Sequence, residues 1–403
     1  MIGQILIALL LGICFGIFTG LIPGIHVNLI SLILLSMSGY LLGFTTPLVL
    51  SVFIIAMAIT HTFLDSIPSI FLGAPDADMA LGVLPGHKLL LEGKGYEAVK
   101  LTVIGSFLAL IVTICIIPLM IPLVPIIYGF IQPYIGYLLL FVIIYMIWIE
   151  RGMIKKTWSL LIFILSGILG LIVLNWPNFS NPLFPMLSGL FGVSTLLLSL
   201  NNKTKLPEQK VTETIKVDVK KTSKAIGAAV FSGSLTGMLP GLGAAQASIL
   251  GMALVGDIGN YTFMILIGGI NTVNFAFSLV TLYTLEKARN GAVVVISELL
   301  NKISITDFII FLAAALITGA LAAILALKIS KIAAKYITKI DYQKLCIGII
   351  VFITALTLFF SHLYGLLVLI VSTAIGMTSP LVGVKRSHAM GCLMLPVILF
   401  FLL

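Results

Sequence analysis

The chain has 403 residues, of which 60% are hydrophobic and 9% are charged, and its net charge is +9 at pH 7. Soluble domains carry about 25% charged residues, so this composition excludes an ordinary soluble protein. The lysines lie in loops and at helix ends, where membrane topology requires positive charge. We therefore do not attribute the net charge to nucleic-acid binding.

Long stretches without any charged residue run through both halves of the chain. The first charged residue is Asp65, and none occurs in residues 101–149 or 225–255. A helix of about 20 apolar residues crosses a bilayer, so each stretch is long enough for at least one span. The sequence predicts an all-α polytopic protein of the cell membrane, with about 10–14 membrane segments.

One stretch near the middle of the chain has a soluble composition. Residues 201–224 contain seven lysines and three acidic residues, and an excess of lysine marks the cytoplasmic segments of membrane proteins. We predict a first membrane repeat at 1–200, a cytoplasmic linker at 201–224 and a second membrane repeat at 225–403.

The distribution of lysines also predicts how the two halves are oriented. Counting crossings outward from the linker places residues 73–100 and 385–386 in the cytoplasm and residues 286–302 outside. Corresponding loops of the two halves would then lie on opposite sides of the membrane. Two halves of opposite orientation form the inverted repeat of many secondary transporters.

A short motif occurs once in each half, inside otherwise apolar sequence. Residues 16–28 read GIFTGLIPGIHVN, and residues 233–245 read GSLTGMLPGLGAA. Proline removes a hydrogen bond from a helix and glycine lets the chain turn, so each copy predicts a broken or re-entrant helix. The free N–H groups that follow a break favour an anion, and the free carbonyls before it can coordinate Na⁺.

The two breaks together form the predicted substrate site. A single proline or glycine in a membrane helix is more often a kink or a packing contact, whereas a matched pair favours one shared site. The candidates for substrate binding are motif residues and the polar residues that follow them, namely Thr19, Gly20, Pro23, Gly24, His26, Asn28, Thr236, Gly237, Pro240, Gly241 and Gln246.

A second pair of segments supplies candidates for ion coupling. HTFLD at 61–65 loosely matches NTVN at 271–274. An acidic residue within a membrane is energetically expensive and is a candidate for binding Na⁺ or H⁺; the alternative is a hydrated carboxylate at the interface. The predicted ion-coupling residues are Asp65, His61, Asn271 and Asn274, with the histidine as a hydrogen-bonding partner. No catalytic residue, metal centre or cofactor is expected beyond Na⁺ as a coupling ion.

The motifs also resemble a known family. The repeated G-x-x-T-G-x-x-P-G, with GAP at 73–75, LPGHK at 84–88 and EGKGYEA at 92–98, is similar to the TctA family. This family is the large membrane subunit of the tripartite tricarboxylate transporters. The resemblance implies a permease for carboxylates such as citrate, driven by an ion gradient. It also implies two partners, a small membrane subunit and an extracytoplasmic solute-binding protein.

The sequence therefore predicts a secondary active transporter of an organic anion, a di- or tricarboxylate, coupled to Na⁺ or H⁺. An alternative is a translocase of a lipid-linked phosphate such as polyprenyl phosphate, because a helix N-terminus accepts phosphate as readily as carboxylate. The chain has no HExxH pair and no GxSxG nucleophile, and we do not interpret it as an enzyme. A structural scaffold would leave the duplicated breaks unexplained.

Overall fold

The structure, a computed structural model, describes residues 2–22, 27–73, 79–177, 179, 182–201, 207–212, 214–239, 243–256, 258–337 and 342–403. The regular structure of these residues is helical throughout, and seven helical segments among them are long and apolar enough to cross a membrane. The prediction of an all-α polytopic membrane protein is confirmed.

The first half of the chain contains eleven of the described helices. They are α1 (Ile2–Leu21), α2 (Val27–Ser36), α3 (Ser38–Leu41), α4 (Pro47–Leu64), α5 (Ser66–Phe71), α6 (Val83–Leu91), α7 (Gly95–Ile131), α8 (Ile135–Trp148), α9 (Met153–Leu174), α10 (Leu183–Leu187) and α11 (Ser194–Asn201). The second half contains α12 (Val219–Met238), α13 (Ala244–Val255), α14 (Gly259–Leu285), α15 (Gly291–Leu300), α16 (Ile305–Ile337), α17 (Tyr342–Leu381) and α18 (Gly391–Leu402).

Helix α1 lies parallel to α4, in close contact along a row of glycines. Gly12, Gly16 and Gly20 are spaced four residues apart and therefore share one face of α1. A Cβ at Gly12 would lie 2.5 Å from the Phe53 carbonyl oxygen, and one at Gly20 would lie 2.9 Å from the Leu64 Cβ. Small residues at this spacing let membrane helices approach closely. The contacts advance in the same direction along both helices, so the pair is parallel.

Helix α12 packs on α14 in the same way. Ala229, Gly233 and Gly237 again form a row with four-residue spacing. The Ala229 Cβ lies 2.9 Å from the position of a Cβ at Gly269, and a Cβ at Gly237 would lie 3.1 Å from the Phe277 Cβ. This pair is also parallel, and its row of small residues corresponds position by position to the row in α1.

Because the two helices of each pair are parallel, the chain that connects them must run back in the opposite direction. Helix α13 does so in the second half, because Gly251 lies close to Ser232 of α12 and to Leu266 of α14. Helices α12 and α13 thus form a hairpin. Near its tip Gly237 lies beside Phe277, about two turns before the end of α14.

Two polar clusters mark the ends of the helical bundle. At one end, called here the Glu97 end, the Tyr261 hydroxyl donates a 2.5 Å hydrogen bond to Glu97. At the other, the Arg289 end, the guanidinium of Arg289 lies 5.1 Å from the centre of the Tyr128 ring. Helices α7 and α14 both run from the Glu97 end to the Arg289 end.

Helices α4 and α5 run in the opposite direction to α7 and α14. Helix α5 continues α4, and its last residue, Phe71, lies at the Glu97 end, where a Cβ at Gly95 would be 3.0 Å from the Phe71 ring. Helix α4 therefore ends at the end of the bundle where α14 begins, and the two central helices are antiparallel.

Gln209 and Thr212, in the segment between the halves, contact the Glu97 end. The Gln209 side chain accepts a 2.9 Å hydrogen bond from the Gly95 backbone N–H, and the Thr212 hydroxyl donates a 2.5 Å hydrogen bond to Glu97. Helix α12 begins at Val219, earlier than the predicted boundary at 225, because the Asp218 carboxylate caps its first backbone N–H groups. The polar segment is thus shorter than composition alone indicates.

Helices α8, α9, α17 and α18 form an outer group beside this bundle. Helix α17 is interrupted at His362, which has φ 53° and ψ −155°. The two parts of α17 fold back on each other, since Cys346 and Ile353 of the first part share a buried cluster with Leu369 of the second. The turn thus divides α17 into two parts between Lys344 and Lys385.

Candidate functional site

The structure describes part of the predicted site. The motif residues that lie outside the described part of the chain are Pro23, Gly24, His26, Pro240 and Gly241. Gln246 belongs to α13, but its side chain is also outside the described set. The geometry below concerns the threonines and glycines before each break and the polar residues of α4 and α14.

In the first half, the motif threonine joins α1 to α4. Thr19 Oγ1 and His61 Nδ1 lie 3.1 Å apart, and both residues are buried. The Thr19 hydroxyl donates to the Gly16 carbonyl oxygen at 3.3 Å. The contact between the two side chains holds the end of α1 against α4.

In the second half, the matching threonine joins α12 to α14. Thr236 Oγ1 lies 3.4 Å from Asn274 Oδ1 and 3.0 Å from the Ser232 carbonyl oxygen. Thr236 is fully buried. The motif thus makes the same type of contact twice, a threonine hydroxyl to a polar side chain on the parallel neighbouring helix.

The contacts define which residues of α4 and α14 correspond. A Cβ at Gly20 would lie 3.2 Å from the His61 carbonyl oxygen, and one at Gly237 would lie 3.0 Å from the Asn274 carbonyl oxygen. His61 therefore corresponds to Asn274, and Asp65, one turn further on, corresponds to Ser278. The loose sequence match of HTFLD at 61–65 with NTVN at 271–274 differs in register from this structural correspondence. The sequence match did not take into account which residues face the glycine rows.

A polar crossing between α4 and α14 connects the two halves. Asn271 Nδ2 donates a 2.6 Å hydrogen bond to the Asp65 carboxylate, and the hydroxyls of Thr62 and Thr272 lie 3.1 Å apart. Asp65 is only 2% exposed, so its carboxylate is buried in the protein and is not a hydrated interface group. Asp65 and Asn271 were predicted as ion-coupling residues from two different segments of the sequence, and in the structure they are in direct contact.

The crossing lies close to both motif contacts. Thr62 follows His61 directly in α4, and Thr272 precedes Asn274 by two residues in α14. Less than one helical turn therefore separates each motif contact from the Thr62–Thr272 contact of the crossing. The Thr19 contact, the Asp65 contact and the Thr236 contact form one buried polar layer across the bundle, called here the central polar layer.

Asn28 lies apart from this layer. Its Oδ1 accepts a 3.0 Å hydrogen bond from the Ala292 backbone N–H at the start of α15. A helix start has N–H groups without partners in the helix, and a side-chain oxygen at this place satisfies one of them. Through this contact, Asn28 connects α2 to α15 in the second half of the chain.

Sequence reasoning missed the packing role of the motif glycines. Gly16 and Gly20 face α4, and Gly233 and Gly237 face α14. The four-residue spacing of small residues was a signal for this contact. Half of each motif therefore sets the distance between two helices, and this distance positions the adjacent threonine.

Among the described residues, no group of three or more His, Cys, Asp or Glu side chains comes together. The central polar layer offers one carboxylate, one imidazole, two amides and several hydroxyls. Such oxygen-rich groups can bind a monovalent cation or a proton, and the amide and hydroxyl groups can also donate to an anion.

Comparison with known proteins defines the family. A sequence model described as the tripartite tricarboxylate transporter TctA family matches residues 6–391. The chain belongs to the TctA family. It is also similar to an uncharacterized protein, MJ1079, of Methanocaldococcus jannaschii, with 31% identity over 407 residues that cover 98% of this chain and 99% of the relative. No solved structure matches the chain.

Membership of the TctA family confirms the resemblance noted in the sequence. The protein is a multi-pass membrane component of a tripartite transporter family, and the match covers both glycine rows and the central polar layer. A transporter family also agrees with the interpretation that the chain is not an enzyme.

Proposed function

We propose that this TctA family protein is the permease for an organic anion, a di- or tricarboxylate, and that uptake is coupled to Na⁺ or H⁺. It works in the cell membrane with a solute-binding protein and a small membrane subunit. The observation that carries the proposal is the central polar layer, in which two copies of one motif contact two antiparallel helices beside a buried carboxylate.

An inverted repeat is the architecture that we propose for the two halves. The α1–α4 and α12–α14 pairs share their glycine rows and threonine contacts, while α4 and α14 run in opposite directions. In this arrangement α1–α2 and α12–α13 are re-entrant hairpins whose tips approach from opposite sides. Secondary transporters with inverted repeats place substrate at broken helices near the membrane midplane.

The anion would bind at the starts of the two return helices. Helices α2 and α13 begin directly after the motif breaks, at Val27 and Ala244. The aligned peptide dipoles of a helix give its N-terminus partial positive charge, which attracts an anion. A substrate with two or three carboxylates could use both helix starts at once, which favours a di- or tricarboxylate over a monocarboxylate.

The coupling ion would bind at the Asp65–Asn271 contact. A buried carboxylate is expensive unless a cation or a proton accompanies it. The Asn271 amide donates to one carboxylate oxygen, and the amide oxygen of the same side chain is of the type that coordinates Na⁺. Because Asp65 and Asn271 belong to different halves, ion binding there would link the movement of one half to the other.

Uptake into proteoliposomes tests the proposal. We expect labelled citrate to accumulate only under an inward Na⁺ or H⁺ gradient, with the partner proteins supplied. Thr19→Val and Thr236→Val keep the side-chain shape but remove the hydroxyl, and each should lower substrate affinity about tenfold by removing one buried hydrogen bond. Thr354→Val is the control, because its hydroxyl donates only to the Ile350 carbonyl of its own helix.

Two results of this experiment would contradict the proposal. Gradient-driven transport of labelled polyprenyl phosphate without citrate transport would favour the lipid-linked phosphate translocase. If both threonine variants bind substrate with the wild-type affinity, the motif contacts only pack the helices and do not contribute to substrate binding.

Thiol labelling tests the inverted topology. With the native cysteines replaced, an impermeant reagent added outside intact cells should label Gly39→Cys and Lys302→Cys but not Lys385→Cys. Gly39 and Lys302 are exposed near the Arg289 end, whereas Lys385 is exposed near the Glu97 end. If only one of Gly39→Cys and Lys302→Cys is labelled from outside, the two positions lie on opposite sides of the membrane and the proposed inversion is excluded. The uptake assay tests the transport site separately.

A further inference from the structure

A cavity of about 710 Å³ lies at the Glu97 end, away from the central polar layer. Its walls come from α6, the end of α13, the start of α14, the end of α8 and the 3₁₀ turn Arg386–Met390. It therefore separates the second hairpin from the outer group of helices. Neither the motifs nor the proposed transport function assigns a role to it.

The polar part of this cavity is basic. Lys88 and Lys385 line it, both exposed at the mouth, and Asn260 adds an amide. No aspartate or glutamate is among the described residues that line it. The carboxylate of Glu150 lies 3.0 Å from Nε2 of the lining residue His388 and is engaged in that contact. The cavity mouth thus attracts an anion.

The rest of the cavity is apolar. Its apolar lining includes Met146 of α8, Ile149 directly after α8, Ile249 and Met252 of α13, and Phe263 of α14. A hydrophilic tricarboxylate would lose its hydration against such walls without gaining hydrogen bonds. An amphiphile would bury its chains there and keep its charged group beside the lysines.

Neighbouring residues place the cavity mouth at the level of lipid headgroups. Trp148 is 69% exposed and adjoins Ile149 in the cavity wall. Lys156 lies 5.9 Å from the centre of the Trp148 ring. Exposed tryptophan beside lysine is typical of the membrane–water interface, and basic pockets between membrane helices at this depth bind anionic headgroups.

We propose that the cavity binds an anionic phospholipid, with its phosphate between Lys88 and Lys385 and one acyl chain along the apolar wall of α8 and α13. The lipid would fill the space between the second hairpin and the outer helices. This inference rests on the cavity alone and is independent of the transported substrate.

Native mass spectrometry of the purified full-length protein tests the proposal. The protein is delipidated and then titrated with phosphatidylglycerol or phosphatidylcholine, and retained lipid is counted. We expect preferential retention of one phosphatidylglycerol. Lys88→Gln with Lys385→Gln should weaken it about tenfold or more, since each basic residue near a membrane surface adds appreciable attraction to anionic lipid. Lys156→Gln, at the same depth but outside the cavity, should retain it as wild type does.

A second variant tests the apolar part without changing charge. Ala253 is exposed to the cavity, so Ala253→Trp should fill the space and prevent lipid retention while the protein remains folded, as judged by its melting temperature. Equal retention of both lipids, unchanged retention in the double lysine variant, or unchanged retention in Ala253→Trp would each overturn the proposal. Displacement of the lipid by citrate or inorganic phosphate at equal concentration would also overturn it, in favour of a site for soluble anions.

Discussion

The two helix pairs that carry the motifs have nearly the same contacts but different chemistry. Both use a row of small residues, and both place a threonine against a polar residue on the neighbouring helix. In the first pair that residue is His61, and Asp65 follows it one turn later. In the second pair the corresponding residues are Asn274 and Ser278. At these two corresponding positions, groups that can change charge thus occur only in the first pair.

This difference separates what the fold requires from what the proposed function requires. The small residues and threonines recur because they determine how closely the helices pack and where the polar layer forms. Nothing in that packing demands a carboxylate, since Ser278 occupies the corresponding position with its hydroxyl bonded to the Asn274 carbonyl at 2.7 Å. Under the proposed function, the first pair couples the ion and both pairs bind the anion.

Replacement of the buried acid should have the largest effect. We expect Asp65→Asn to abolish ion-dependent uptake in proteoliposomes, because an amide neither attracts a cation as a carboxylate does nor takes up a proton. Ser278→Ala, at the corresponding place, should leave ion dependence unchanged. Asp307→Asn is a further control, because this partly exposed acid caps the start of α16, away from the central polar layer. Unaltered ion dependence in Asp65→Asn would remove the functional difference between the two pairs.

Alanine in the glycine rows should reveal a smaller difference, in stability. A Cβ at Gly16 would lie 2.5 Å from the Thr60 Cβ, whereas one at Gly233 would lie 2.9 Å from the Val273 Cβ. Overpacking of this kind destabilises by about 1–3 kcal/mol. We expect Gly16→Ala to lower the melting temperature in detergent more than Gly233→Ala does. Gly227→Ala, where a Cβ meets open space, should not lower it, and a reversed order would show that the first pair is the looser one.

His87, a residue of α6 that contacts α5, should have the smallest effect, which is on the pH dependence of stability. His87 donates from Nδ1 to the Ile70 carbonyl oxygen at 3.4 Å, and burial lowers the pKa of its ring below the ordinary 6.5. The unfolded chain therefore binds a proton more readily than the folded protein, so stability is lost as the pH falls below about 6.5. Wild type should lose more melting temperature on acidification than His87→Gln, and equal losses would contradict this assignment.

Much of the fold was predictable because long apolar stretches have few possible structures in a membrane. The uncharged stretch 101–149 corresponds to α7 and α8, and the interval between Lys344 and Lys385 contains the two parts of α17. The matched motifs contain the glycines and threonines that make similar contacts in the α1–α4 and α12–α14 pairs. These inferences depend on composition and on local backbone chemistry, which the sequence contains directly.

The partners of the site residues were not predictable in the same way. The residues of α4 that face the glycine row, such as Phe53 and Leu64, are ordinary apolar residues with no sequence signal for their role. The Asp65–Asn271 contact joins positions far apart in the chain, so it depends on how two helices cross. Asn28 follows the first motif in sequence, yet it contacts Ala292 because α2 turns toward α15.

The second hairpin has a consequence for how the protein is made. Helices α12 and α13 are not among the described helices that are long and apolar enough to cross a membrane, whereas α14 and α7 are. Irregular backbone at membrane depth is tolerated only when other protein covers it. If the hairpin is re-entrant, as proposed, we expect it to become stable in the bilayer only after α14 has inserted beside α7. The later helix α14 would then provide the surface against which the earlier hairpin packs.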